Sequence, residues 1–125
     1  MIGKNPNMPE KVYATREGLQ GQKTATNYVI DAYVPFVALP SNAALRLWVR
    51  VTNPANGKSV RALVLDIGPW NVSDHAYVFG DARPQAESGH DLRGRTTNRA
   101  GIDLGEAVWK ALDLHDNGLV SWEFV

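Results

Sequence analysis

A strand–turn–strand signal in the middle third of the chain limits its fold more than any other feature. Two β-rich runs, "LRLWVRVTN" and "KSVRALVLD", flank "PANG". Asn56-Gly57 supplies the positive φ angles that a tight hairpin needs, so the chain is predicted to double back there in a two-residue or bulged turn. Apolar and polar residues partly alternate over Leu47–Asn53, which predicts one buried face. Val60–Leu65 is nearly all apolar, which predicts a strand covered on both faces. That strand ends on Asp66 and turns at once through Gly68-Pro69 to Trp70. A carboxylate in this place either ties the turn together or is a reactive group held at the mouth of a cleft.

The elements around the hairpin are short. Residues 1–11 are polar, hold two prolines and read as an extended arm; the domain proper is expected over 12–125. Val12–Thr15 and Thr24–Ile30 read as strands. The next stretch, "DAYVPFVALPSNAAL", holds two prolines and reads as an edge strand followed by loop. Residues 71–100 are polar, rich in Gly, Arg, Asp and His, and without periodicity. An inserted loop of that length is a binding loop or lid, or else a solvated insertion; "AYVFG" within it is read as a short strand. "GIDLGEAVWKALDL" then predicts a helix, with Asp103 as N-cap and Glu106 completing a capping box. Leu104, Ala107, Val108, Ala111 and Leu112 share one helical face. "HDNG" closes the helix, and "LVSWEFV" is a final strand. Many short strands and one convincing helix predict a closed, mainly β barrel carrying a small helix, and argue against α/β winding.

Composition excludes several functions. A chain of 125 residues is one domain. Thirteen basic and thirteen acidic side chains cancel, so there is no electrostatic footprint for nucleic acid or an anionic membrane. The absence of cysteine excludes thiol catalysis and cysteine-bound zinc. His75, His90 and His115 show no zinc spacing, so no metal and no organic cofactor is expected. No run suits a transmembrane helix, and the first residues lack the apolar core of a signal peptide. A serine-hydrolase elbow is also missing. A monomer is expected.

Three motifs in order carry a resemblance: V-x-V-T-N-x-x-N-G-x-x-V from Val49, D-x-G-P-aromatic from Asp66, and I-D-L-x-x-A from Ile102. Together they resemble the rare lipoprotein A-like family, a six-stranded double-psi β-barrel shared with expansins, family-45 glycoside hydrolases and the membrane-bound lytic transglycosylase A group. The likeness covers roughly 47–70 and 101–125, with "ALP" at Ala38–Pro40 as its trace upstream. It implies a cleft for polysaccharide, usually peptidoglycan glycan, and an extracellular or periplasmic setting. It also implies Asp103 as catalytic acid, with Asp66 beside it. The chain departs from the family in three places, one of them a far longer loop between the two aspartates. Phe36 stands near the position of the family's histidine, and Asp31 is the only acidic residue just upstream.

Glycosidic cleavage needs a carboxyl that stays protonated near neutral pH. Two facing aspartates meet that need, because like charges raise one of the two pKa values. On this reading the site is Asp103 and Asp66 as the catalytic pair, cleaving glycan by lytic transglycosylation or, as a glycosidase, by hydrolysis. Helix capping at Asp103 would oppose the assignment by stabilising its anion. Trp70 is read as a sugar platform, with Tyr13, His75, Asn98 and Arg99 as substrate contacts. Arg83, Arg93 and Arg95 are read as solvated, and Trp48, Trp109 and Trp122 as core. The alternatives are a non-catalytic, expansin-like module that binds or loosens glycan, and a structural barrel without activity.

Overall fold

The computed structural model describes residues 10–125. The expected arm therefore lies almost wholly outside the described residues, and its last residue, Lys11, already belongs to a strand. Six strands form a closed barrel: β1 (Lys11–Arg16), β2 (Phe36–Leu39), β3 (Trp48–Thr52), β4 (Ser59–Ile67), β5 (Ile102–Leu104) and β6 (Gly118–Phe124). Around the barrel the order is β1-β5-β2-β4-β3-β6. The β1–β5 and β2–β4 pairs are parallel and the rest antiparallel. Two short helices complete the fold, α1 (His75–Val78) and α2 (Glu106–Ala111), where the sequence predicts one.

Strand alternation builds the interior. Each strand sends a pair at i and i+2 inward: Val12 and Ala14, Val37 and Leu39, Val49 and Val51, Ala62 and Val64, Ile102 and Leu104, Val120 and Trp122. Closure leaves no free sheet edge. The β3–β4 hairpin forms as predicted, with Thr52 opposite Ser59. Its loop is longer than a two-residue turn: the amides of Asn56 and Gly57 both reach the Asn53 carbonyl, and only Gly57 takes positive φ (+76°). β4 is inward-facing at Ala62 and Val64 and only partly covered at Leu63 and Leu65, not buried on both faces.

Several expectations fail for local reasons. Thr24–Ile30 is not a strand. Asn27 takes positive φ (64°), the Asn27 amide bonds the Thr24 carbonyl, and one bridge, Lys23 to Val29, is all that remains of pairing. β2 is a fully buried strand between β4 and β5, not an edge, because Pro35 and Pro40 flank it and remove no ladder bond from within. "AYVFG" is mostly α1. Trp109 and Trp122 are core, whereas Trp48 faces outward at 46% exposure under the Arg61 guanidinium.

The inserted loop is not a solvated excursion. Tyr77 from α1 is fully buried in the barrel core, where its hydroxyl donates to the Gly101 carbonyl (3.0 Å) and accepts from Trp122 Nε1 (2.7 Å). Asn71, Asp74 and Asp91 are buried polar ties within the loop.

The predicted capping box is absent. Asp103 lies inside β5, and Gly105 is the N-cap of α2. Gly105 is required by packing: a Cβ there would lie 2.5 Å from Phe36 Cε1. Phe36 and Gly105 thus press the strand–helix junction onto β2, so the chain stays extended through Asp103.

Candidate active site

The pairing register builds the site. Thr15 of β1 is opposite Asp103 of β5, Asp103 is opposite Ala38 of β2, and Ala38 is opposite Asp66 of β4. The four residues form one row across four adjacent strands. Ile102 and Leu104 point into the barrel, so Asp103 between them points out.

Asp66 needs a correction to join that face. Ala62 and Val64 point inward, and plain alternation would send Asp66 the same way. A one-residue register shift lies between the Val37–Val64 and Ala38–Asp66 pairs. This bulge turns Asp66 to the outer face, the re-aiming for which bulges are known near functional sites. Gly68, in the turn just after β4, lies near the other aspartate: a Cβ there would be 4.0 Å from Asp103 Oδ2.

A third carboxyl, missed by the sequence reading, completes the cluster. Glu17 follows β1, with its amide bonded to the Leu104 carbonyl (2.8 Å). Alternation from Tyr13 through Thr15 puts Glu17 on the same outer face, and this period of two was the signal available in "VYATRE". Glu17 Oε2 is buried and meets no hydrogen-bond donor. Its carboxyl faces that of Asp66, an acceptor, so the contact is favourable only with a proton between them.

The charges follow from this packing. Burial, then the hydrogen bond and charge of Asp66, then the charge of Asp103, push the Glu17 carboxyl up to about 9. Burial also raises Asp103, to about 6; the Thr15 hydroxyl, which donates to Asp103 Oδ1, works against the rise, and the charge of Asp66 adds to it. The helix-cap argument for a low value at Asp103 therefore fails, because no helix begins there. Asp66 Oδ1 accepts the amides of Ala25 and Ile67 (2.9 Å each). The Thr26 hydroxyl donates to the Leu65 carbonyl (2.8 Å), so the segment read as a second strand folds over the end of β4 as a flap.

The other candidates divide. Tyr13 is half-buried on the face that carries Thr15, with its carbonyl bonded by the Gly101 amide. Trp70 is half-buried beyond the Gly68-Pro69 turn, and its Nε1 donates to Asn98 Oδ1 (2.9 Å). One face of its ring lies under the Arg95 guanidinium at 5.8 Å, so at most the other face is open. His75 is engaged elsewhere, bonded through Nδ1 to the buried Ser41 hydroxyl (2.7 Å). Arg99 donates to the Glu87 carbonyl (2.8 Å) and is a loop tie. Arg83 and Arg95 are likewise tied, to Glu87 and Asp91, and are not free solvated charges. Asp31 accepts from the Tyr28 hydroxyl and the Tyr33 and Val34 amides, contacts that hold its carboxyl below the usual range; it is a turn aspartate. Phe36 is buried against Tyr28 and offers no polar atom to the site. Among the described residues no cluster of His, Cys, Asp and Glu could hold a metal ion.

The fold and site define a closed six-stranded β-barrel with three carboxyls gathered on one outer face. Residues 8–87 match the family described as a domain of unknown function (DUF8814), and the chain belongs to that family. The matched span includes Glu17, Asp66 and Trp70 and stops short of Asp103. No curated protein matches the chain. Among solved structures, the chain is similar to Streptomyces papain inhibitor (SPI), with a TM-score of 0.54 and 20% identity over 94% of each chain, a likeness of fold. No helix among the described residues is long and apolar enough to cross a membrane.

Proposed function

We propose that this domain is a double-psi β-barrel of the rare lipoprotein A-like type that cleaves peptidoglycan glycan by lytic transglycosylation. One observation carries the reading: the strand register sets Asp103 and Asp66 on either side of Ala38, on one outer face. Asp103 is the acid. Its proton passes to the glycosidic oxygen as the bond from that oxygen to the anomeric carbon breaks. The sugar's own 6-hydroxyl attacks that carbon, and its proton returns to the carboxyl pair, so no net proton is consumed. An acid with a value near 6 must be protonated to act, so cleavage is expected to decline as pH rises above about 6. Incubation with purified peptidoglycan and mass analysis of soluble fragments tests this directly. Anhydro-sugar ends support transglycosylation, reducing ends would mean hydrolysis, and no fragments would overturn the enzyme reading.

A second reading, a binding domain without chemistry, is favoured by the state of Asp66, already taken by the Ala25 and Ile67 amides under the flap. This reading covers an expansin-like glycan binder and, from the fold shared with a papain inhibitor, a partner that is a protease. Loss of papain activity on titration with this protein, without fragment release from peptidoglycan, would favour it.

A further inference from the structure

We propose that the inserted loop builds a preorganised subsite beside Trp70 for an alkyl group that carries a carboxylate, the peptide-substituted part of a cell-wall glycan. The inference rests on the glycan reading above and names the part of the substrate that the loop would select.

A pocket of roughly 260 Å³ lies between the Trp70 ring, Val72 and Leu92, with Arg93 and Arg95 at its rim. Val72 and Leu92 are each 60% exposed, so with the Trp70 ring they present a small apolar patch to solvent. The loop is not free to collapse. Asn71 is buried and bonded on both sides: its Oδ1 accepts the Leu92 amide (2.9 Å) and its Nδ2 donates to Gln85 (2.8 Å). Asp91 is also buried, and accepts the amides of Arg93 and Arg95 (2.9 Å each) together with the Arg95 guanidinium (2.5 Å). Arg95 in turn donates to the Trp70 carbonyl (2.9 Å). A carboxylate and an amide are thus withdrawn from water to fix Leu92 and Arg93 in an outward position. Holding contact groups in place before binding lowers the entropy lost on association.

The rim selects the charge. Asp91 neutralises Arg95, whereas the Arg93 side chain has no hydrogen bond or ion pair among the described residues. An apolar wall with one unpaired guanidinium fits an alkyl group next to a carboxylate, and suits a plain neutral sugar poorly.

NMR titration of the whole protein tests this with three probes: muramyl dipeptide, chitotetraose and the N-acetylated dipeptide alone. Muramyl dipeptide is expected to shift the Leu92 and Arg93 amides and the Trp70 indole. Arg93→Ala should weaken its binding roughly tenfold, the loss of one charge-assisted hydrogen bond. Arg93→Lys should recover part of it, and Leu92→Asp should abolish it, all with an otherwise unchanged spectrum. Chitotetraose should leave the Leu92 and Arg93 amides in place. Absence of shifts, or equal affinity in Arg93→Ala, would overturn the subsite. Equal binding of the dipeptide alone would make the pocket a peptide-docking site and overturn its assignment to glycan. Peptidoglycan digestion separates the two proposals: fragments released with no shift at Leu92 and Arg93 remove the subsite alone. Shifts without fragments support the subsite and remove the cleavage chemistry.

Discussion

Asp91 and Glu17 both take carboxyl oxygens out of water, one in the inserted loop and the other just past β1. Around Asp91 every neighbour donates. Burial works against its charge, and the Arg95 and Arg93 amides with the Arg95 guanidinium overcome that cost and hold its carboxyl below the ordinary aspartate range. Around Glu17 the neighbours are acceptors, Asp66 first and Asp103 beyond it, and Oε2 finds no donor. The first arrangement is what stability alone favours. The second is destabilising at neutral pH unless a proton is retained. Perturbed carboxyls gathered in one place make a candidate functional site.

The largest expected effect separates the two regions by activity. Asp103→Asn keeps shape and removes the transferable proton, so fragment release from peptidoglycan should fall by about 10²-fold or more. Asp91→Asn loosens the loop that holds Leu92 and Arg93, so it should raise KM while leaving kcat within about threefold of the parent. An equal fall in both would merge the two regions into one structural unit.

Stability should show the reverse order. Asp91→Ala leaves the Arg93 and Arg95 amides without their acceptor and is expected to lower the urea midpoint of unfolding. Glu17→Gln should instead raise stability at pH 8, by on the order of 1 kcal/mol after allowing for partial exposure, because glutamine donates to Asp66 without needing a proton. Glu17 has a folded value raised to about 9. Its contribution is therefore fully present below the unfolded value of about 4.5 and is lost as pH rises through about 9. The parent should lose stability across that window, and Glu17→Gln should lose less. A parent melt that is flat from pH 5 to 9 would contradict the unsatisfied carboxyl.

The smallest effect concerns one hydroxyl. Thr15→Val removes the donor that holds Asp103 down, so the decline of activity with pH should move to higher pH. A move to lower pH would mean that Thr15 does not serve Asp103.

The hairpin and the barrel class were legible in the sequence because Asn56-Gly57 and strand alternation are local signals. The closeness of Asp66 and Asp103 was expected through family likeness and follows in the structure from the register through Ala38. Three things were not legible. The capping box at Asp103 fits the local pattern, yet packing of Phe36 on Gly105 keeps that residue in a strand. The flap over Asp66 came from a β-rich segment whose Asn27 turns it back, a tertiary choice that propensity does not encode. Glu17 lay two residues past a strand read as ending at Thr15, and the bulge that turns Asp66 toward it is a matter of register between distant strands.

The most direct test is the titration of the three carboxyls themselves, followed by carbon NMR in the parent protein. A shared-proton cluster predicts that Glu17 titrates near pH 9 and Asp103 near pH 6, with the two curves coupled through Asp66. Glu17 and Asp103 titrating independently at ordinary carboxyl values, between about 3.5 and 4.5, would contradict the account.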